Sequence, residues 1–226
     1  TVNGLQGENL PNVWTSSGTN SGTLNSGGNI LAFTNFNNLT GGSDIDSFVL
    51  AGGTLSGAIN GGVGNNNSLT GGNVANTWTI TGLDSGSVNG VTGGFTNIGT
   101  LIGGTNTDSF TLNGGTLNGA IDGGAGINTL TAGNVANTWN VTGPRAGTVT
   151  GVVGGYSNID NLNGGSGADT FTLGDGVVVA GAIDGGAGVD TLNLSTYTTN
   201  RNVILTASGV NGFSGTEASV AGDFAN

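Results

Sequence analysis

The chain has 226 residues, 49 of them Gly and only 7% charged, and 13 acidic residues against 2 basic ones give a net charge of −11. Two cations, Arg145 and Arg201, cannot neutralise a phosphate backbone, which excludes nucleic acid and disfavours anionic surfaces that no cation bridges. Cys, Met and His are absent, and no run of about 20 apolar residues is available to insert in a membrane.

Gly-rich chains of low charge can be disordered, but disorder goes with few β-branched and aromatic residues. Here Val, Ile, Leu, Thr and Phe recur in a fixed order. The glycines are therefore read as tight turns that need positive φ. The chain begins at Thr1 without Met, which reads as a mature protein or an excised fragment.

In chain order, residues 1–11 carry Glu8 and Pro11 and predict no capping helix. A first repeat, about 12–75, opens at Trp14-Thr15 and runs through Phe33, Asp46-Ser47-Phe48 and Gly57-Ala-Ile-Asn-Gly-Gly62. A second, about 76–136, restates this as Trp78-Thr79, Phe95, Asp108-Ser109-Phe110 and Gly119-Ala-Ile-Asp-Gly-Gly124. A third, about 137–198, gives Trp139-Asn140, Tyr156, Asp169-Thr170-Phe171 and Gly181-Ala-Ile-Asp-Gly-Gly186. The period is about 62 residues. Residues 199–226 depart from it as a degenerate terminal coil, with Arg201 standing where Trp is expected and Phe213 and Phe224 without a counterpart.

A shorter spacing lies inside the repeat. Leu39, Ile59, Ile80, Leu101, Ile121, Val141, Leu162 and Ile183 follow one another at intervals of 20 or 21, and Phe48, Leu69, Val88, Phe110, Leu130, Val149, Phe171 and Leu192 form a parallel series. Apolar and polar residues alternate as in Phe171-Thr172-Leu173, the period of a strand and not of a helix. This predicts an all-β chain folded as one parallel β-solenoid (β-helix) over residues 1–226, with coils of about 20–21 residues and three coils per 62-residue repeat. Parallel crossovers make it right-handed. The number of sides per coil, two or three, stays open.

Trp14, Trp78 and Trp139 share the parity of inward positions two residues on, which predicts core filling; the competing reading is an aromatic platform for a glycan. Phe33, Phe95 and Tyr156 are expected in the core or at a corner. The turn position runs Asp46, Asn67 (or Asn66), Gly86, Asp108, Asn128, Gly147, Asp169, Asp190, so neutral residues separate the carboxylates along most of the stack. Asp169 and Asp190 are the exception, adjacent carboxylates that need a cation between them, water around them, or a shared proton. Asp122 and Asp184 are expected to bond backbone N–H groups in their own turns.

The turns Gly164-Gly-Ser-Gly-Ala-Asp169 and Gly185-Gly-Ala-Gly-Val-Asp190 resemble the Gly-Gly-x-Gly-x-Asp turns of the repeats-in-toxin family. That resemblance implies Ca²⁺ held by carbonyl oxygens and Asp carboxylates, here Asp169 and Asp190. The family repeats the motif every nine residues, whereas here it recurs every 20 or so. Over roughly 12–194 the repeat resembles the β-strand repeats of large secreted bacterial surface proteins, the haemagglutinin-like adhesins. This implies an extracellular rod at a cell surface.

Catalysis is not expected, since Lys and His are absent and neither Arg adjoins an acidic cluster. The expectation is a structural rod, serving as an adhesin stalk flanked by neighbouring solenoid repeats or as a filament subunit that self-associates end to end. The alternative is a module binding cell-surface glycans, with ice binding further behind. No cofactor is required, with Ca²⁺ the candidate ligand.

Overall fold

The computed structural model describes residues 3–226 apart from 65 and 209–211. The described residues are all-β, with 25 strands in two mostly parallel sheets of 13 and 12, an arrangement consistent with a β-solenoid. No helix among the described residues is long and apolar enough to cross a membrane.

A single strand, β1 (Gly4–Gln6), precedes the first repeat. That repeat contains β2 (Asn12–Gly18), β3 (Ser21–Ser26), β4 (Asn29–Thr34), β5 (Asn38–Thr40), β6 (Ser47–Leu50), β7 (Ile59–Asn60) and β8 (Ser68–Thr70). The second contains β9 (Thr77–Gly82), β10 (Ser85–Val88), β11 (Val91–Thr96), β12 (Thr100–Ile102), β13 (Ser109–Leu112), β14 (Ile121–Asp122) and β15 (Thr129–Thr131). The third contains β16 (Thr138–Gly143), β17 (Ala146–Val149), β18 (Val152–Ser157), β19 (Asn161–Asn163), β20 (Thr170–Leu173), β21 (Ile183–Asp184) and β22 (Thr191–Asn193). A fourth begins with β23 (Val203–Ser208), β24 (Phe213–Glu217) and β25 (Val220–Ala225).

Each repeat opens with a three-stranded antiparallel meander and continues as four short strands that alternate between the sheets. Because each repeat makes an odd number of visits, successive meanders fall on opposite sheets: β2–β4 and β16–β18 in one, β9–β11 and β23–β25 in the other. The chain is therefore two-sided, and each repeat is turned over relative to the last.

This register revises the coil scheme. The 20- or 21-residue step joins Leu39 to Ile59, Phe48 to Leu69, Leu101 to Ile121, Phe110 to Leu130, Leu162 to Ile183 and Phe171 to Leu192, all as parallel partners. It fails at the meanders. Ile59 pairs with Phe95 and not Ile80, Leu69 with Leu101 and not Val88, and Ile121 with Tyr156 and not Val141. A uniform series of three equal coils per repeat does not describe the pairing. The two apolar series kept their spacing because a hairpin of short strands uses about as many residues as a coil.

The inward side chains make one continuous core. Trp14, Trp78 and Trp139 are 0% exposed, each stacked on the Phe of the next parallel strand: Phe48 at 5.7 Å, Phe110 at 5.6 Å and Phe171 at 5.3 Å between ring centroids. Phe33, Phe95 and Tyr156 meet the same indoles edge-on. Burying aromatics of this size supplies apolar area at roughly 25 cal/mol per Å², and stacked or edge-on pairs add about 0.5–1.5 kcal/mol each. The middle strand passes beneath the edge-on ring, where Gly86 pairs with Phe95. A Cβ on Gly86 would lie 2.1 Å from the Thr79 carbonyl oxygen, so only Gly fits.

The fourth meander corrects the alignment of the end of the chain. Val203 pairs with Glu217 as Trp139 pairs with Val149, so Val203 and not Arg201 occupies the Trp position. Arg201 stands two residues earlier, where the other repeats have Asn. Phe224 is the counterpart of Phe95 and Tyr156, set against Ile183.

Candidate functional site: side-chain ladders and the open ends

The turns between short strands carry a recurrent hydrogen-bonded ladder. Asn12, Asn76 and Asn137 each close the loop before a meander and reach one layer forward to Asp46, Asp108 and Asp169. In each pair the Asn backbone N–H and Nδ2 both donate to Oδ1 of the Asp, at 2.7–2.8 Å. Nδ2 of Asn76 also donates to the carbonyls of Gly72, Val74 and Gly103, so the amide ties its own loop to the next turn. The Asp passes the pattern on: the backbone N–H of Asp46 donates to Asn67 Oδ1, that of Asp108 to Asn128 Oδ1, and that of Asp169 to Asp190 Oδ1. Asn67, not Asn66, takes the ladder position.

Gly86 and Gly147, placed by sequence in this column, lie instead in the middle strands of meanders. Asp122 and Asp184 do bond their own turns, accepting from the N–H of Gly124 and Gly186. The three Asn residues were missed, although Asn-Val-Ala-Asn-Thr-Trp recurs intact at 73–78 and 134–139.

The second carboxylate oxygens are less well served. Oδ2 of Asp46 accepts the Gly42 N–H, but Oδ2 of Asp108, Asp169 and Asp190 is buried without a hydrogen-bond partner. Comparison with the Asn layers explains what lies opposite. Asn128 Nδ2 donates to the Asn158 carbonyl, and both atoms stand within 2.6 Å of a Cβ built on Gly123. Around Gly103 the same two places are held by Asp108 Oδ2 and the Gly123 carbonyl oxygen, each 2.4 Å from such a Cβ. Two acceptors thus face one another where the Asn layer has a donor and an acceptor. Burial raises the Asp108 carboxyl above its usual range, against hydrogen bonds from Asn76 that lower it. Burial likewise raises Asp169, opposed by Asn137 and reinforced by the charge of Asp190.

Asp169 and Asp190 are adjacent, as expected. Their donor set does not by itself make a calcium cage, because Ca²⁺ takes six to eight oxygens. Both Oδ1 atoms are committed to N–H donors, and the Asp169 backbone N–H points at Asp190, between the two carboxylates. Among the described residues no three His, Cys, Asp or Glu gather as metal ligands.

The two cations pair singly. Arg145 reaches Asp160 at 2.7 Å, and Arg201 reaches buried Glu217 at 2.5 Å while its guanidinium sits 4.4 Å from the Tyr197 ring centroid. Burial raises the Glu217 carboxyl, but bonds from Ser219 and Arg201 outweigh it and hold the group below its usual value.

Outside the ladders, hollows open at both ends and on the flank. The free edge strands are β1 and β4 at one end and β22 and β23 at the other. At the β23 end Phe171, Leu192, Leu205, Phe213 and Phe224 line an open apolar hollow. At the β4 end Leu5, Leu24, Ile30 and Leu31 line a mixed hollow together with Gln6, Glu8, Ser26 and Asn29. On the flank, Asn66, Asp84, Asn97 and Asn118 line a polar hollow.

Comparison with protein-family models, with curated proteins and with solved structures finds no match.

Proposed function

We propose that the chain is a non-catalytic structural element, a stiff β-solenoid rod that acts outside a bacterial cell as an adhesin stalk or as the subunit of a self-assembling surface filament. The observation that carries the reading is the run of inward columns, one continuous core in which the Trp–Phe stack recurs through three successive repeats. Unpaired edges template further strands, and a head-to-tail contact between unlike ends builds an open filament. The extracellular assignment rests on the resemblance to adhesin repeats.

A glycan-binding surface is the second reading. The polar hollow of Asn66, Asp84, Asn97 and Asn118 favours it. The tryptophans do not, since all three are buried.

Small-angle X-ray scattering over a concentration series tests the first reading. Growth in particle length at constant cross-sectional radius is expected. Particles of one length at every concentration, with retention on a glycan array, would replace it by the second.

A further inference from the structure

We propose, resting on the glycan reading and independently of whether subunits join, that the polar flank hollow between Asp84 and Gly99 binds one neutral sugar residue, and that Gly99 creates it by omitting a side chain that the equivalent corners carry.

The corner in question recurs three times. Just after the third strand of each meander, the chain crosses an Asn of an earlier layer. The N–H groups of Asn37 and Asn38 donate to the Asn3 carbonyl, that of Thr100 to Asn67, and those of Asp160 and Asn161 to Asn128. Asn37, Gly99 and Asp160 are therefore equivalent, as are Asn3, Asn67 and Asn128. In two of the corners a bond is returned. The Asn3 N–H donates to Asn37 Oδ1 and the Asn128 N–H to Asp160 Oδ2, both at 2.8 Å. In the middle corner Gly99 has no side chain to accept. Asn67 is 0% exposed, and its N–H has no such acceptor among the described residues. A buried donor in this position favours any ligand that brings an acceptor to it.

The neighbouring hairpin corner differs in step. Asn20, Asp84 and Arg145 are equivalent, since their carbonyls accept from Phe36, Ile98 and Ile159. In the third repeat Arg145 reaches Asp160 at 2.7 Å and closes the corner. In the second, Asp84 stands in that place, its carboxylate accepting from the backbone N–H and Nδ2 of Asn118. Both Arg residues are paired elsewhere. Where the third repeat has an ion pair, the second has a hollow of about 610 Å³, with Asn66, Asn97 and Asn118 in its wall. That volume suits a small molecule.

A backbone N–H at one side and a carboxylate at the other call for a ligand that both accepts and donates. A hydroxyl does both. A bare cation would oppose the N–H, and an anionic sugar would oppose Asp84 and a chain of net charge −11. No aromatic ring lines the hollow, so recognition falls to hydrogen bonds with several hydroxyls of one sugar ring.

Amide NMR of the isotope-labelled chain, titrated with the methyl glycosides of glucose, galactose and mannose, tests this. Saturable shifts at Asn67, Gly99 and Asn118 with at least one of the three are expected. Gly99→Asn restores the arrangement of Asn37, and a Cβ there meets nothing closer than 3.3 Å. It should melt at or above the wild-type temperature and bind the sugar weaker by about tenfold or more. Asp84→Asn, at a φ of 49° where Asn20 adopts 52°, should also weaken binding while keeping the fold. Saturable binding unchanged in both variants moves the sugar off this hollow, which overturns the inference and leaves the glycan reading standing. A Gly99→Asn chain that melts below wild type overturns the claim that Asn67 lacks an acceptor. No binding of any of the three probes overturns the inference, and a glycan array without retention then overturns the glycan reading as well.

Discussion

Trp78 lies flat against Phe110, 5.6 Å between centroids and 8° between planes, and the same stack recurs in the repeats before and after. The indole Nε1 of each Trp is buried without an acceptor. The ring is therefore there for its area and shape. Trp78→Ala should cost about 3–5 kcal/mol in urea unfolding, and Trp78→Phe, which keeps a stack and removes the unpaired N–H, much less. Equal losses would mean that the N–H has a partner in solution.

Asn76 joins its own loop to the turn of the next layer through a single amide. Asn76→Ala should destabilise by about 1–3 kcal/mol, since buried carbonyls lose their donor. Asn76→Asp should be worse at neutral pH, because it sets a second carboxylate against Asp108, and the difference between the variants should shrink on acidification. Denaturant curves at two pH values measure both effects.

Asp108 supplies a pH dependence whose sign follows from its surroundings. Its folded carboxyl titrates above the ordinary value of 3.8. Between those two values the native chain keeps a proton that the unfolded chain has released. Its contribution is fully present below 3.8 and is lost as pH rises through the folded value. Asp108→Asn should remove this fall and be at least as stable as wild type at neutral pH, with its amide donating toward Gly123. Glu217 acts in the opposite direction: its folded value is depressed, so its contribution is present above the unfolded value and lost as pH falls through the folded one. Arg201→Ala should weaken that acid-side loss. An Asp108→Asn profile parallel to wild type would contradict the assignment.

Asp169 and Asp190 give a prediction for calcium. With both Oδ1 atoms accepting N–H donors, millimolar Ca²⁺ should leave the melting temperature where a chelator leaves it. A rise that Asp190→Asn abolishes would show that the turn rearranges to bind the ion.

Much of this was legible in the residues. The parity of Trp139 and Val141 placed both side chains inward, and Asp169 and Asp190 fall in adjacent layers as their spacing implied. The meanders were not read, although Val88-Asn89-Gly90-Val91 carries the Asn-Gly signal of a two-residue hairpin. The apolar period masked it, because Ile80 and Val88 keep their series' spacing although they lie on the two strands of one hairpin, Ile80 opposite Gly86 and Val88 opposite Trp78. Arg201 was assigned to the Trp position because the fourth meander replaces Trp with Val203, which leaves no aromatic marker to align. The Asn76–Asp108 pair spans 32 residues and a whole meander. Its composition was visible, but its contact exists only once the layers are stacked.

The proposed self-associating rod is tested most directly by cryo-electron microscopy of the purified protein. Unbranched filaments of uniform width are expected, with strands perpendicular to the axis at about 4.8 Å spacing. Short rods of one length at every concentration, or filaments whose subunits meet like end to like end, would contradict it.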